Sequence, residues 1–293
     1  MLGKMRNKIR FRVKIDSAWR GDIEARNVLP NKFVNAIGPF VFMEHIVSSR
    51  QSLHKSGVAG RRSHPLRGVA TWTYILAGEV EFLDSLGNHA ELSNGGAHWM
   101  NAGNGVIRDE SPRLESLLTN SDLSIVEFWI NLPSKFKSEA PNYFCLPPNE
   151  IPKQVLNDNN GWVKILSGEY NNTMAKVPCY AKEFLYHIHL QGGRQFSMAT
   201  DKRLEYAAFL PTRSAVANDI EFQGGELIAF AAFGDLIEIK NNRETAIDII
   251  LFGGEPSIEP IVADETFVMN TAHEITQAYN DYYDGKYGQI NTQ

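Results

Sequence analysis

Cysteine is scarce in this chain: Cys145 and Cys179 are the two in 293 residues. So few support neither a disulfide framework nor a thiolate metal site, and both are expected to be reduced and structural. Long apolar runs are missing as well. None approaches the roughly 18 residues that a membrane span requires, so no partnership with a membrane is expected. The leading segment MLGKMRNKIRFRVK has no apolar stretch behind its charges, which argues against a secretory signal and for a cytoplasmic location. There is no Gly-x-Gly-x-x-Gly on a strand-to-helix turn, no phosphate loop and no Gly-x-Ser-x-Gly elbow, which leaves nucleotide binding and hydrolase chemistry without support.

What is present is ordinary globular composition, with 43% hydrophobic, 22% charged and 11% aromatic residues. The length suggests about two domains. Net charge is -5, yet Lys4, Arg6, Lys8, Arg10, Arg12 and Lys14 all precede the first acidic residue. These cations alternate with Met5, Ile9, Phe11 and Val13, a period of two that predicts a strand with one cationic face. Such a face can meet an anion or a nucleic acid. It can equally be an edge strand charged against unwanted pairing, and a nucleic-acid partner is not expected.

Short alternating segments bounded by Gly, Asn, Asp and Pro fill most of the remaining chain. Residues 71–76, 79–82, 123–132, 163–167, 181–191, 204–210, 226–233, 236–240 and 246–252 are expected strands, with a turn at Gly87-Asn88. This spacing indicates an all-β fold of antiparallel sandwiches or barrels. Between Leu132 and Pro152 the pattern lapses into PSKFKSEAPNYFCLPPNEIP, with five prolines. We therefore expect one domain over 1–133, a linker over 134–152 and a second domain over 153–293. One helix is expected near the end, opened by the capping box Thr271/Glu274, striped by Ile275, Ala278, Tyr279 and Tyr282, and stopped at Asp284-Gly285.

Two segments combine glycine punctuation with potential metal ligands: SHPLRG (63–68) and GGAHWMNAGNGVIRDESP (95–112). Together with GPFVFMEHI (38–46), EFWINLP (127–133), GEPSIEPIV (254–262) and FVMNTAHEITQA (267–278), they resemble the pirin family of the cupin superfamily over nearly the whole chain. The resemblance implies a double cupin: two antiparallel β-barrels, with a carboxyl-terminal helix. It also implies an amino-terminal barrel holding one non-haem iron through a His-x-His and a His-x-Glu pair. A two-residue spacing puts both members of each pair on one strand face.

The positions that match those ligands are His64, Leu66, Arg108 and Glu110. Two ligand types are kept, and two are replaced by an aliphatic chain and a guanidinium that stays protonated. A cation beside the remaining pair repels a divalent ion. Arg108 is thus expected in the ion's place, its fork satisfying Glu110 and Asp109, with Leu66 filling the volume of a ring. No bound cofactor is then expected. The alternative is Fe(II) or another divalent transition metal held by His64 and Glu110, with His98 as substitute ligand in a shifted facial site. His45 is a further histidine able to approach it, and His54 in a polar loop is assigned nothing. His187-Ile188-His189 has metal-pair spacing but lacks the cupin glutamate after it, and is expected to be a pair of polar strand residues. Family resemblance implies two function classes. One is a metal-dependent dioxygenase acting on flavonols such as quercetin; the other is a binding or regulatory protein that takes a small molecule or a protein partner through the amino-terminal barrel. Leu66 and Arg108 favour the second.

Overall fold

The computed structural model describes residues 5–20, 23–48, 62–113 and 122–290. Among them are twenty-six strands and one α-helix, Ala272–Tyr283, so the described residues are predominantly β-strand with a helix near the carboxyl end. No described helix is long and apolar enough to cross a membrane. Lys4 and His54 lie outside the described residues.

Two compact units are formed. The first comprises Ser17–Leu29, Phe40–Glu150 and Ser257–Gln293; the second comprises Met1–Asp16, Pro30–Pro39 and Ile151–Pro256. This departs from the division at 133 and 153, because pairing between distant strands overrides chain order. The Ile9–Lys14 strand joins the edge of the second unit's large sheet by pairing with Glu226–Phe230. The expected linker is itself built in: Asn142–Leu146 pairs with Ala97–Asn101 at an edge of the first unit's large sheet, the position where proline-rich flanks are tolerated. The terminal helix also belongs to the first unit, against the Val262–Asp264 and Phe267–Met269 hairpin.

In the first unit, a seven-stranded antiparallel sheet runs in the order Asn142–Leu146, Ala97–Asn101, Val69–Ala77, Leu123–Asn131, Phe40–Ser48, Ile23–Leu29, Ser17–Arg20. A four-stranded sheet, Arg62–Leu66, Val106–Pro112, Glu79–Asp84, His89–Ser93, contributes the side chains that meet it. The second unit repeats this plan. Its large sheet centres on Glu205–Phe209, Ile247–Gly254 and Glu183–Leu190, and its small sheet begins Gln195–Ala199, Leu236–Lys240.

Local chemistry explains the details. Asp84 Oδ1 accepts from the backbone N–H groups of Leu86 and Asn88, which, with Gly87 at φ 86°, closes the expected hairpin turn. The helix opens on the expected box: Glu274 N–H donates to Thr271 Oγ1 at 3.2 Å, and the Glu274 carboxylate accepts from Asn270 N–H at 3.0 Å. The cationic face of the leading strand is paired within its own unit: Arg6 with Asp219 and Glu238, Arg10 with Glu205, Arg12 with Glu226.

Candidate functional site

Two short strands of the first unit's small sheet carry the matched positions. Arg62–Leu66 and Val106–Pro112 are antiparallel neighbours with His64 opposite Arg108 and Leu66 opposite Val106. The two-residue period therefore turns His64, Leu66, Arg108 and Glu110 to the same side. Asp109 falls on the other face of its strand and makes no ion pair with Arg108. The partner that sequence reasoning missed is Glu127, from the large sheet.

Arg108 is completely buried. Its Nη2 lies 2.5 Å from Glu127 Oε1 and 3.0 Å from Glu110 Oε1, while Nη1 donates to Thr71 Oγ1 at 2.7 Å. Thr73 Oγ1 donates to Glu110 Oε1 at 2.7 Å, and Trp129 Nε1 donates to Glu127 Oε1 at 2.8 Å. The threonines of Val69–Ala77 thus face the polar centre. Trp72 and Tyr74 on its reverse are buried as well, so alternation in this strand separates two buried faces rather than core from solvent.

Charge distribution follows from this geometry. Burial drives the Glu110 carboxyl up to about 7, with Arg108 opposing and Glu127 reinforcing the rise. Glu127 goes the other way. Burial opposes its ionisation, but Arg108 and His64 outweigh that and hold it below the ordinary carboxylate range. The same guanidinium thus stands between a carboxyl whose pKa is lowered and one whose pKa is raised.

A cavity of about 330 Å³ opens over this pair. Its polar lining includes Glu44, His64, Glu110 and Glu127; Phe42, Ile46, Val80, Leu123, Ile125 and Trp129 make apolar walls. Leu66 is fully buried among Val69, Met100, Ala102, Val106 and Val268.

The family's iron centre can be tested against these donors, and they do not fit it. Leu66 and Arg108 offer no lone pair, and a guanidinium nitrogen already lies within 3.0 Å of both carboxylates. The shifted site is not assembled either. His98 is buried flat against Phe82, ring centroids 4.5 Å apart, with Tyr143 beyond, beside a separate void of about 10 Å³. Burial and then Arg108 push its imidazole down to about 3. His45 lies on the strand face opposite Glu44 and bonds Ser124 Oγ at 3.0 Å. Among the described residues, ligand atoms of three metal-binding side chains gather only at Glu81, His89 and Glu91, which are exposed or half-exposed. There His89 Nε2 already meets Glu81 Oε1 at 3.0 Å and Arg113 holds Glu91 at 2.6 Å.

In the second unit, His187 and His189 share one strand face, and both contact Asp248 Oδ1, at 2.9 and 2.8 Å. Trp162 stacks on His189. The pair is satisfied by a carboxylate that its own segment did not announce.

The glycines of the two motifs have a local cause. Gly68 has φ 76°, and a Cβ there would stand 2.0 Å from the Val268 carbonyl oxygen; Gly105 has φ 127°, and its Cβ would stand 2.1 Å from the Tyr287 ring. Both admit the carboxyl-terminal segment, which Arg67 fastens by an ion pair to Asp281 at 2.6 Å.

Two family models match the chain: pirin over residues 22–130, and the pirin C-terminal cupin domain over residues 185–288. Pirin-like protein 2 of Arabidopsis thaliana is 30% identical over 237 residues, covering 78% of this chain and 71% of that one. A crystal structure of quercetin 2,3-dioxygenase from Acinetobacter baumannii superimposes with a TM-score of 0.86 at 25% identity, covering 98% of this chain and 100% of the other. A bacterial pirin from Escherichia coli in complex with nickel(II) shares the fold, with a TM-score of 0.66 at 18% identity over 84% of this chain and 99% of that one.

Proposed function

Because this chain belongs to the pirin family, and is a bicupin protein with a half-lost iron site, we propose that it binds a small molecule in the first unit without a metal. Each unit is read as a cupin barrel, and His64, Leu66, Arg108 and Glu110 as the positions of the family's metal site. The observation that carries the reading is the Arg108 guanidinium within 3.0 Å of Glu110 and Glu127, a fixed monocation between the carboxylates where the family has its ion. A small molecule is favoured over a protein partner because the polar centre lies at the base of a cavity rather than on an open face. A reducing, cytoplasmic setting is supported by the unpaired Cys145 and Cys179.

Thermal unfolding tests metal independence. An ion that binds only the folded state stabilises it by RT ln(1 + c/Kd), where c is the free ion concentration, and so raises the midpoint. Chelator treatment and stoichiometric iron(II) are each expected to leave the midpoint unchanged; a rise of several degrees with one equivalent contradicts the proposal.

A second reading is a dioxygenase of the quercetin 2,3-dioxygenase type, favoured by the similarity to the Acinetobacter baumannii structure. It requires metal-dependent oxygen consumption with quercetin that is abolished in both His64→Ala and Glu110→Ala. Activity unaltered in those variants, or absent with metal supplied, removes it.

A further inference from the structure

We propose that the second unit carries a groove for a neutral oligosaccharide, built around Trp162 near one edge of its large sheet. This is independent of the first unit's cavity and of any metal there. Strand register places the platform. Trp162 lies directly between Val155 and His189 on the two neighbouring strands, while Val163, Ile188 and Leu190 turn into the apolar cluster between the sheets. Trp162 therefore falls on the sheet's other face. Its indole is stacked on His189, ring centroids 5.1 Å apart at 11°, and His189 Nδ1 is held by Asp248 Oδ1 at 2.8 Å. A large aromatic plane is thus fixed in orientation before any ligand arrives. It lines an open groove of about 530 Å³, with Val155, 72% exposed, beside it.

The rim of the groove is held together by its own backbone. Residues 157–161, 191–195 and 241–245 meet there: Gln191 N–H donates to the Asn160 carbonyl at 2.8 Å, Gly193 N–H to that of Arg243 at 2.9 Å, and Asn241 N–H to that of Arg194 at 2.9 Å. Buried Asn241 adds three bonds from Nδ2, to the carbonyls of Leu190, Gln191 and Thr245. The approach is close. A Cβ at Gly161 would stand 1.8 Å from the His189 carbonyl oxygen, and one at Gly192 2.1 Å from that of Glu244. Loops fastened in this way present their side chains in one arrangement.

The polar lining selects the ligand class. Asn159, Gln191, Arg194 and Glu244 line the groove, and their side-chain groups make no hydrogen bond or ion pair with a described residue. One guanidinium against one carboxylate leaves this lining without net charge, so it favours neither an anion nor a cation. The amides offer donor and acceptor together, the guanidinium donors and the carboxylate acceptors. That mixture matches neighbouring hydroxyl groups, each of which both donates and accepts. A pyranose ring carries such hydroxyls around an apolar C–H face, and C–H groups polarised by adjacent oxygens suit the electron-rich face of an indole. Arg194 also lines a second hollow of about 230 Å³ with Asn160, Gln195 and Asn242, where Lys240 is paired with Glu238 at 3.0 Å. The two hollows accept sugar rings in line rather than a single ring.

Saturation-transfer NMR on the full chain tests this with four probes: cellotetraose, maltotetraose, N,N′,N″,N‴-tetraacetylchitotetraose and tetragalacturonate. At least one of the three neutral tetrasaccharides is expected to receive saturation at its ring C–H protons, and the polyanion less than that one. The signal is expected to fall at least fivefold in Trp162→Ala and in Gln191→Ala/Arg194→Ala, the second of which alters only exposed side chains and is expected to keep the parental thermal midpoint. Absence of transfer to all three neutral probes overturns the proposal. Parental transfer in Gln191→Ala/Arg194→Ala also overturns it, as does tetragalacturonate binding more tightly than every neutral probe.

Discussion

In the second unit, the strands in the sheet positions of Arg62–Leu66 and Val106–Pro112 are Gln195–Ala199 and Leu236–Lys240. They turn Phe196, Met198, Ile237 and Ile239 toward the large sheet, where Ala208, Ile249 and Leu251 complete one apolar cluster. The first unit has the same strand order, but its apolar side chains fall into separate groups, one around Leu66 and Trp129 and another around Ile75 and Phe82. The polar centre of Arg108, Glu110, Glu127 and the two threonines accompanies that division. One strand plan therefore supports either a continuous core or a built polar centre, and the choice is made by a handful of inward positions on four strands. Burying ions between facing sheets costs stability, and the buried Lys164, Glu183 and Glu226 of the second unit lie outside its apolar cluster. That cost is part of the ground for placing the proposed site in the first unit.

The sharpest way to break the comparison is to move the arginine. Ile237→Arg places a guanidinium between the second unit's sheets without carboxylates to receive it, and is expected to cost more than about 4 kcal/mol in denaturant unfolding. A variant of parental stability would mean that the second unit's interior is not closed. Next in size is Arg108→Ala, which strands Glu110 and Glu127 and is expected to cost about 3 to 5 kcal/mol. Replacing all three charges, as Arg108→Ile, Glu110→Ile and Glu127→Leu, imitates the second unit and should be more stable than Arg108→Ala alone. The reverse order would show that the centre's stability does not come from charge pairing.

A smaller effect appears with pH. The folded Glu110 carboxyl titrates near 7, above the ordinary value of 4.5, so between those limits the native state holds more protons than the unfolded state. Stability contributed by that proton is present in acid and is lost as pH rises through the window. Relative to Glu110→Gln, which cannot titrate there, the parent should lose on the order of 1 to 3 kcal/mol between pH 4.5 and 7.5. A pH-independent difference between the two proteins would put Glu110 in a solvated environment.

Much of this was legible from residue order. Alternation located the strands to within a few residues, as with Leu236–Lys240, and the capping box located the helix. Motif resemblance brought His64, Leu66, Arg108 and Glu110 to neighbouring strands. Glu127 was not found, because its partner comes from another sheet, yet a trace of it was visible: a glutamate inside the apolar run Ile125–Ile130 needs a buried counter-charge. Glu44 in FVFMEHI carries the same signal. Asp248 escaped notice for a different reason, since it lies 59 residues from His189. The assignment of the leading strand to the second unit and of the terminal helix to the first depends on long-range pairing, which local periodicity does not encode.

The central claim is that Arg108 stands in for a metal ion, and metal content after loading addresses it most directly. Parent protein and a Leu66→His/Arg108→His variant, reconstituted together with iron(II) and desalted, should differ. The parent should retain well under one equivalent per chain and the variant, with the family's four-ligand set rebuilt, close to one. His89→Ala in both backgrounds removes any contribution from the exposed Glu81, His89 and Glu91 group. One tightly held equivalent in the parent, undiminished by His89→Ala, would contradict the account.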